Sequence, residues 1–428
     1  GVIRISGPET VSIAERLFRR ANPAAPLRER VLHYGYFRNE EGKLDEGMAV
    51  IFRAPRSYTG EDMAEFHCHG GVLVVARILE AVLRADARAA EPGEFTRRAF
   101  VNGKMDLTQA EAVMDVIRAS TPLALRAAEE QLAGRLGREV EEVRSHILRT
   151  VAHVEAYIDF PDEGIEPHTG ERLLAEIAQI HDRIKRLLAT ANEGRILREG
   201  VRLVLCGEPN AGKSSLLNRL LGFERAIVSA IPGTTRDTIE EFASLRGIPF
   251  RIIDTAGLRE TMDAIEREGV ERARLAMSRA DLIVRLADVT RDAFLERHQE
   301  EILALNKIDL VSPETVAQRR AAAPGAVAIS CLTGEGIDQL VDMIVGRIRE
   351  NQPRDTPILA AINARHQACL QRARARLCEA EGKLRERVDP ELIALPLREA
   401  LDAVGEIVGI ADTEEILGEI FGTFCIGK

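Results

Sequence analysis

Gly207-Glu208-Pro209-Asn210-Ala211-Gly212-Lys213-Ser214 is the stretch of sequence that decides the fold. It follows the short apolar run Val201–Cys206 and precedes a segment of helical character that begins near Lys213. This order of strand, glycine-containing loop and helix is the context that a phosphate-binding loop requires, because its backbone N–H groups then face phosphate oxygens at the positive end of a helix. We therefore predict a nucleotide site in which Lys213 reaches the β- and γ-phosphates and the Ser214 hydroxyl binds Mg²⁺.

Further apolar runs follow this loop in an order that suits an α/β domain. They lie at Phe250–Ile253, Leu282–Leu286 and Ala326–Ile329, and segments of helical character separate them. Strands that alternate with helices form a mostly parallel sheet. The sequence predicts a nucleotide-binding domain of this class over residues 201–352.

Polar residues at the ends of these strands indicate which base is bound. Asp254-Thr255-Ala256-Gly257 places a carboxylate near the metal and a glycine amide near the γ-phosphate. Asn306-Lys307-Ile308-Asp309 supplies a carboxylate that can accept hydrogen bonds from N1 and N2 of guanine, an arrangement that adenine does not offer. Ser330-Cys331-Leu332 either completes the base pocket with a backbone amide or is an ordinary strand end. The predicted substrate is GTP.

The segment between the loop and Asp254 contains Gly233-Thr234-Thr235-Arg236-Asp237. A threonine here can close on Mg²⁺ when the γ-phosphate is present, and Thr235 is the candidate, with a surface loop residue as the alternative. Leu258 stands where a Ras-like enzyme carries the glutamine that orients water, so the catalytic group must come from elsewhere. The nearby carboxylates are Asp263, Glu266, Glu268 and Glu271, and from the residues alone each is better interpreted as part of a solvated helix face.

The regions on either side of the nucleotide-binding domain have a different character. Residues 1–103 read as one α+β domain, because strand-like runs alternate with turns and with the helical stretch Val72–Arg84. Residues 104–200 and 353–428 are helical, so we predict a helical domain in two parts with the α/β module inserted between them. The predicted fold class is therefore multidomain α/β.

Composition limits the class of protein. The chain has 428 residues and a net charge of −10, which argues against tight sequence-independent binding to nucleic acid. It has no Trp, and aromatic residues make up 4%, so surfaces for stacking bases are scarce. No apolar run is long enough for a membrane span, and the six cysteines are dispersed without a zinc-site spacing. We expect no membrane and a reducing, cytoplasmic location.

Several motifs resemble those of the tRNA modification GTPases of the MnmE (TrmE) family, within the TrmE-Era-EngA-like GTPases. Besides the nucleotide motifs they are Ser57-Tyr58-Thr59-Gly60-Glu61-Asp62, the run Pro92–Phe100, the run Asn102–Glu111 and the terminal Cys425-Ile426-Gly427-Lys428. The resemblance covers essentially the whole chain. The motifs near the two ends are more specific than the phosphate-binding loop, which many unrelated GTPases share.

The resemblance implies a homodimer that acts with a partner, the FAD-containing protein MnmG (GidA). Together they would modify C5 of wobble uridine 34 in certain tRNAs with a carboxymethylaminomethyl-type group. The reaction would use GTP hydrolysis and a one-carbon unit from a folate, 5-formyl- or methylene-tetrahydrofolate.

The resemblance also implies a folate site in the N-terminal domain. Arg4, Glu65 and Lys104 would hold the folate, and the terminal Lys428 would reach the site. From the residues alone each of these is a surface charge. Cys425 would take a catalytic role by the same resemblance, whereas from the residues alone it is a small apolar side chain packed near the C-terminus.

Enzymes similar to this one bind K⁺ beside the phosphates when two G domains meet, which would explain the missing glutamine. The ion would be held by Asn210, Ser229, Ile231 and Thr234, and Mg²⁺ by Ser214 and Thr235. Glu266 aligns with the residue that orients the attacking water through an intermediary, and Arg236 is the other catalytic candidate in this domain. The full set of predicted GTP-binding residues is Asn210, Ala211, Gly212, Lys213, Ser214, Ser215, Ser229, Ala230, Ile231, Pro232, Gly233, Thr234, Thr235, Asp254, Thr255, Ala256, Gly257, Asn306, Lys307, Asp309, Ser330, Cys331 and Leu332.

The chain departs from the family pattern at a few places. It begins at Gly1, without the initiator Met and the strand that precedes this position in the family. Cys331 stands where alanine is common, Arg285 interrupts an apolar strand, and the segment between Val289 and Ile302 is short. These changes bear on the base pocket and leave the phosphate site intact.

Two further hypotheses remain open at this point. The chain could be a non-catalytic switch that uses GTP as a state label while it assembles ribosomal or RNA-processing partners. The N-terminal domain could also be a dimerisation scaffold that binds no folate.

Overall fold

A computed structural model of the chain describes residues 1–21, 26–159, 170–223, 240–254, 275–291, 301–350, 361–410 and 414–427. Internal contacts divide the chain into two units. The first unit comprises Gly1–Met114, Gly137–Ser145 and Leu401–Lys428, and the second comprises Asp115–Leu136 and His146–Ala400. Each unit contains a β-sheet of its own.

The sheet of the first unit is antiparallel throughout. Its strands are β1 (Val2–Ser6), β2 (Phe18–Arg20), β3 (His33–Asn39), β4 (Gly42–Phe52) and β5 (Met63–His67), and their order is β1-β5-β4-β3-β2. Side chains alternate between the two faces of a strand, so one face can be apolar. On that face the rings of Phe18, Phe37 and Phe66 lie in sequence, with centroids 5.2 and 5.1 Å apart.

Helices α1 (Thr10–Leu17) and α2 (Val72–Arg84) cover the apolar face of this sheet. Ile13 and Leu17 of α1 and Ile78 and Val82 of α2 are buried there. Burying a side chain of this size stabilises the fold by about 1.5–3 kcal/mol. Helices α3 (Glu94–Val101) and α14 (Glu414–Gly422) also belong to the first unit, whereas α4 (Leu107–Arg118), α6 (Arg135–Asp159) and α13 (Pro390–Val408) contribute residues to both units.

The sheet of the second unit is parallel except at one edge. Its strands are β6 (Val201–Gly207), β7 (Glu240–Leu245), β8 (Ile248–Asp254), β9 (Leu282–Asp288), β10 (Glu301–Asn306) and β11 (Val327–Ala328), in the order β11-β10-β9-β6-β8-β7. Among the strands that the structure describes here, only the β7–β8 pair is antiparallel. Strand β10 is buried at every position, as expected for a central strand with both faces covered.

The helices of the second unit cover this sheet or pack against one another. They are α5 (Pro122–Leu132), α7 (Gly170–Ala189), α8 (Ala191–Glu199), α9 (Lys213–Leu221), α10 (Pro313–Ala322), α11 (Ile337–Glu350) and α12 (Ala364–Arg385). Side chains cap the N-termini of several: Thr121 accepts from the Ala124 N–H, and Asn363 and His366 form a capping box. Such caps satisfy backbone N–H groups that have no partner within the helix.

The two ends of the segment that carries the parallel sheet lie side by side. Arg198, just before β6, donates to the carbonyl oxygens of Ala361, at 3.2 Å, and of Ile362. Arg195 forms a bidentate ion pair with Asp281, with distances of 3.1 and 2.8 Å, and Asp281 also accepts from the Arg202 N–H. These contacts join α8 directly to the end of the sheet at which the central strands β6 and β9 begin.

The observed architecture confirms the predicted fold class of a multidomain α/β protein with a mostly parallel sheet around the phosphate-binding loop. Helix α2 occupies the predicted range, and α9 begins at the predicted residue. The predicted strand at Ala326–Ile329 is shorter, because only Val327–Ala328 pairs as a strand. Within the described ranges, no helix is both long and apolar enough to cross a membrane.

Replacing Gly194 should loosen the junction between α8 and the chain after the parallel sheet. A Cβ atom at this position would lie 2.5 Å from the carbonyl oxygen of Ile362, which is backbone and cannot rotate away. We expect Gly194→Ala to lower the free energy of unfolding by about 1–3 kcal/mol, as overpacking generally does. Thermal or denaturant unfolding of the full chain measures this.

Gly346→Ala is the matched control. Gly346 also lies within a helix, and an added Cβ would meet nothing within 4 Å. Alanine there should stabilise the helix by up to about 1 kcal/mol. Equal stability of the two variants would contradict the packing assigned to Gly194.

Candidate functional site

The phosphate-binding loop lies between the end of β6 and the first turn of α9. Gly212 has a φ of +101°, and an added Cβ would lie 2.2 Å from Nδ2 of Asn306. Asn210 also has a positive φ, of +64°. Glycine is therefore required at position 212 for both its backbone conformation and the close approach of Asn306.

The residues predicted to bind phosphate and metal, Lys213 and Ser214, lie at the start of α9. Lys213 is buried, and its Nζ donates to the carbonyl oxygens of Gly207 at 3.0 Å and Glu208 at 2.8 Å. The Ser214 hydroxyl donates to Oδ2 of Asp254 at 3.1 Å. Hydroxyl and carboxylate oxygens are ligands that Mg²⁺ prefers, so this pair fits the ion. The ammonium group and the metal pair together suit a polyphosphate.

Asn306 joins the phosphate-binding loop to the loop that follows β11. Its Nδ2 donates to the Ala211 carbonyl at 2.8 Å, and its Oδ1 accepts from the Cys331 N–H at 3.0 Å. The side chain is 2% exposed. Because both of its polar groups are bound in a buried place, Asn306 fixes the distance between the two loops.

The predicted base-reading carboxylate lies at the other end of this arrangement. Ser330 donates through its hydroxyl to Oδ1 of Asp309 at 2.5 Å, and the Thr333 N–H donates to the same Ser330 oxygen at 3.1 Å. Lys307 has a φ of +72°, and its Nζ donates to Asp288 at 2.6 Å. Burial raises the pKa of Asp288, but hydrogen bonds from Lys307 and Thr290 outweigh that effect, and the net shift is downward. Asp288 is therefore an anion that holds Lys307 in place.

Arg285, which interrupts an apolar strand in the sequence, has a partner on the neighbouring strand. It forms a bidentate ion pair with Glu301 of β10, with distances of 2.6 and 2.8 Å. The hydrogen bonds that Arg285 donates to Glu301 raise the pKa of Arg285 above its ordinary value, although burial opposes this. A charged pair thus replaces an apolar contact between β9 and β10.

The two thiols near the nucleotide site are buried. Burial raises the pKa of Cys206, and it raises the pKa of Cys331 to about 11. Both are therefore protonated at neutral pH, and a thiol of this kind is a weak nucleophile. Cys331 contributes to the site through its backbone N–H, which donates a hydrogen bond to Oδ1 of Asn306.

Many predicted site residues lie outside the described part of the chain. They are Ser229, Ala230, Ile231, Pro232, Gly233, Thr234, Thr235, Arg236, Thr255, Ala256, Gly257, Glu266 and Lys428. Asn210, Ser214 and Ser215 are exposed at the loop, and Leu332 is exposed beside Ser330. The described residues accordingly bring together the phosphate side and the base side of the predicted site.

A second cluster of polar residues surrounds Arg4 in the first unit. Arg4 and Glu65 face each other on the paired strands β1 and β5, and their ion pair has N···O distances of 3.0 and 2.9 Å. The guanidinium carbon also lies 5.6 Å from the ring centroids of both Tyr58 and Phe95. His67 contributes a further ionisable group, since its Nε2 is 3.5 Å from Glu65 Oε2. The cluster is a carboxylate and a cation set among aromatic rings.

The C-terminal segment reaches this cluster. Arg4 Nη1 is 3.5 Å from the carbonyl oxygen of Gly427, Pro92 forms a β-bridge with Ile426, and the Gly93 N–H donates to the Cys425 carbonyl. Gly93 has a φ of +67°, and a Cβ there would lie 2.8 Å from the Phe421 carbonyl oxygen. Cys425 is exposed at this position.

The predicted folate residue Lys104 binds a neighbouring loop. Its Nζ donates to the Pro55 carbonyl at 2.9 Å, and Asn102 donates to the Thr59 carbonyl at 2.7 Å. Glu61 of that loop accepts from Ser6 and from Arg98. Hydrogen bonds from Arg88 lower the pKa of Glu94 to about 2, so this carboxylate, which also accepts from Arg98, is ionised. These contacts hold the loop and Lys104 against one another.

Sequence reasoning missed the groups that surround the predicted residues. Tyr58 and Phe95 lie inside the sequence motifs Ser57–Asp62 and Pro92–Phe100, yet their position against Arg4 depends on a contact between residues far apart in the chain. The bridging role of Asn306 and the arginine partner of Glu61 were missed for the same reason. An aromatic residue within a motif that also carries charged residues was the available signal for Tyr58 and Phe95.

Two family models match the chain. The model described as the MnmE helical domain matches residues 107–425, and the model described as the GTP-binding protein TrmE N-terminus matches residues 1–104. Together they span the residues of the nucleotide site and those of the cluster around Arg4.

Full-length relatives agree with these matches. Proteins named tRNA modification GTPase MnmE from Akkermansia muciniphila, Geobacter metallireducens and Aquifex aeolicus are 47%, 44% and 41% identical. Each alignment covers 100% of this chain and 95–96% of the relative. A solved G domain of the T. maritima FeoB iron transporter is 27% identical over 35% of this chain and 98% of its own, but its TM-score of 0.26 is too low to assign a fold. The extent and identity of the sequence matches show that the chain belongs to the MnmE family of tRNA modification GTPases.

Proposed function

We propose that this chain is a GTPase of tRNA modification that needs Mg²⁺ and is stimulated by K⁺. In this proposal it acts as a homodimer with the FAD-containing partner MnmG and modifies C5 of wobble uridine 34 in certain tRNAs with a folate one-carbon unit. The observation that carries the GTPase part is the buried Asn306, which binds Ala211 in the phosphate-binding loop and Cys331 in the loop after β11. The Ser214–Asp254 and Ser330–Asp309 hydrogen bonds lie on the phosphate side and the base side of this link. The names of the relatives support the tRNA part.

In this proposal the described residues bind and orient the nucleotide. Lys213 and the loop N–H groups would neutralise phosphate charge, and Ser214 would hold Mg²⁺ with Asp254 beside it. The carboxylate of Asp309, oriented by the Ser330 hydroxyl, would accept from guanine. A K⁺ ion at Asn210, with Ser229, Ile231 and Thr234, would supply positive charge where negative charge develops in the transition state. Thr235, Arg236 and Glu266 would complete the reactive end.

The first unit would bind the folate derivative. Arg4 offers a cation beside the rings of Tyr58 and Phe95, and Glu65 offers a carboxylate paired with it, which suits a flat heterocycle with both donors and acceptors. Lys104 and Lys428 would add positive charge for the carboxylates of the ligand. The tail near Arg4 would bring Cys425 to the bound one-carbon unit.

We assign these roles to four segments and place the protein in the cytoplasm. Residues 1–103 would bind folate and dimerise, 201–352 would form the G domain, and 104–200 with 353–428 would form the helical domain. The side-by-side arrangement of Arg198 and Ile362 supports insertion of the G domain into the helical one.

Asp309→Asn tests the assignment of the base. An amide offers one acceptor where the carboxylate offers two, so guanine should lose a hydrogen bond and meet an opposed N–H group. We expect the Kd of GTP to rise about a hundredfold or more, and xanthosine triphosphate, which carries a carbonyl in place of the 2-amino group, to bind better than GTP. Equilibrium titration with both nucleotides measures the exchange of preference.

Asp338→Asn controls for loss of a negative charge. Its side chain is 75% exposed on α11 and pairs with Arg246. This variant should keep the preference for GTP. Unchanged GTP affinity in Asp309→Asn would remove guanine recognition from this site.

Hydrolysis in potassium and sodium salts of equal ionic strength tests the catalytic proposal. With Mg²⁺ present, we expect K⁺ to raise kcat strongly, since an arginine finger in a comparable place contributes about 10³–10⁵ in rate. Glu266→Ala should lose most of the stimulated rate while retaining GTP binding. Glu314→Gln, a change on exposed α10, is the control that should keep the full rate. Slow, equal rates in both salts would favour a GTP-state switch instead.

Arg4→Ala tests the folate site. Removing the guanidinium takes the arginine partner from Glu65 and the cation from beside the two rings. We expect calorimetric titration with 5-formyl-tetrahydrofolate to show binding at least tenfold weaker. Arg16→Ala, at a position 53% exposed in the same unit, should bind as the parent protein does. Equal binding by the parent and Arg4→Ala would remove Arg4 from the site, and no binding by the parent protein would support the scaffold interpretation of this domain.

A further inference from the structure

Arg219 connects the phosphate-binding helix to the base loop, which we define as Ser330–Gly334. It lies in α9, the helix whose first turn carries Lys213 and Ser214. Its Nε donates to the Cys331 carbonyl at 2.8 Å, and its Nη2 donates to the Leu332 carbonyl at 2.5 Å. No motif that defines the nucleotide site includes this residue.

These two bonds fix successive peptide groups of the base loop. The Cys331 N–H, in the preceding peptide, is held by Asn306. In the peptide between Leu332 and Thr333, the carbonyl oxygen accepts from Arg219 and the N–H donates to the Ser330 hydroxyl oxygen. An arginine that donates to two carbonyl groups restrains both their positions and their planes, since its fork is rigid.

The restrained peptide controls the orientation of the Ser330 hydroxyl. Because the Ser330 oxygen accepts from the Thr333 N–H, its own hydrogen points away from that N–H and toward Asp309, to which it donates. The order of contacts is therefore Arg219, the Leu332–Thr333 peptide, Ser330 and Asp309. Each contact is a hydrogen bond between described residues.

We infer that Arg219 is a specificity-determining positioning residue for guanine. It acts on Asp309 through the base loop and does not itself touch the nucleotide. This inference rests on the proposed GTPase function and adds to it a residue that sets how well Asp309 engages the 2-amino group of the base. Its effect should appear in base selectivity and KM rather than in the chemical step.

The test uses Arg219→Gln in the full chain, with GDP, inosine diphosphate and ADP as probes. Inosine lacks the 2-amino group, so its base gives Asp309 one hydrogen bond fewer than guanine does. We expect Arg219→Gln to weaken GDP about tenfold, which corresponds to about 1.4 kcal/mol, and to weaken inosine diphosphate clearly less. The ratio of the two affinities should therefore shrink. For GTP hydrolysis, KM should rise with little change in kcat.

Two further variants separate positioning from folding. Arg219→Lys keeps one charged donor and should restore part of the GDP preference. Arg246→Gln removes another exposed arginine, one that binds Asp338 and Asp342 on α11, and it should leave the ratio unchanged. Unfolding temperatures of all three variants show whether a change in affinity follows a change in stability.

The outcomes distinguish this inference from the function on which it rests. A parent protein that binds GDP no better than ADP would contradict guanine recognition itself. A parent protein that prefers GDP, with an unchanged ratio of GDP to inosine diphosphate in Arg219→Gln, would overturn the role of Arg219 alone. Equal losses for both nucleotides and a lowered unfolding temperature would assign Arg219 to stability, against the inference.

Discussion

The nucleotide site depends on one buried amide, that of Asn306. The phosphate side and the base side of the site follow different strands, and nothing in the local sequence sets their separation. Asn306 sets it, because its donor binds the phosphate-binding loop and its acceptor binds the base loop at positions where water does not compete. The close approach requires glycine at position 212. Both the N–H and the oxygen of this side-chain amide are hydrogen-bonded, so the amide cannot shift without leaving a buried polar group unpaired. The two halves therefore form one rigid site.

The first unit uses the same principle with charged groups. Its motifs look like independent functional signatures, yet they are largely partners of one another: Ser6 and Thr59 share a hydrogen bond, Glu61 binds Arg98, and Asn102 binds the loop that contains Thr59. The C-terminal segment joins them at Gly93 and Arg4. Much of the sequence pattern therefore reflects mutual support, and the groups left to contact a ligand are fewer than the motifs suggest. Arg4 is distinctive because an ion pair and two aromatic rings surround it.

The sequence was informative wherever structure is set by nearby residues. Helix α2 and the start of α9 follow from local periodicity and from glycines, and both were predicted correctly. Arg285 could be recognised only as an interruption, because its partner Glu301 lies on a neighbouring strand that local pattern cannot align. Strand β11 is short because the chain turns into the base loop at Ser330, a turn that depends on Asn306, Asp309 and Arg219. Contacts such as Arg4 with Glu65, 61 residues apart, follow from topology, and only family resemblance pointed to those residues beforehand.

The distribution of the cysteines has a practical consequence for spectroscopy. Cys206, Cys331 and Cys369 are buried, and the raised pKa of Cys206 and Cys331 slows their reaction with alkylating reagents. Cys378 and Cys425 are exposed, and they belong to different structural units. After conversion of the partly exposed Cys68 to serine, a single labelling reaction would attach one probe to each unit without any introduced cysteine. Each probe would report on the unit that carries it, and the two signals can be followed separately as nucleotide is added.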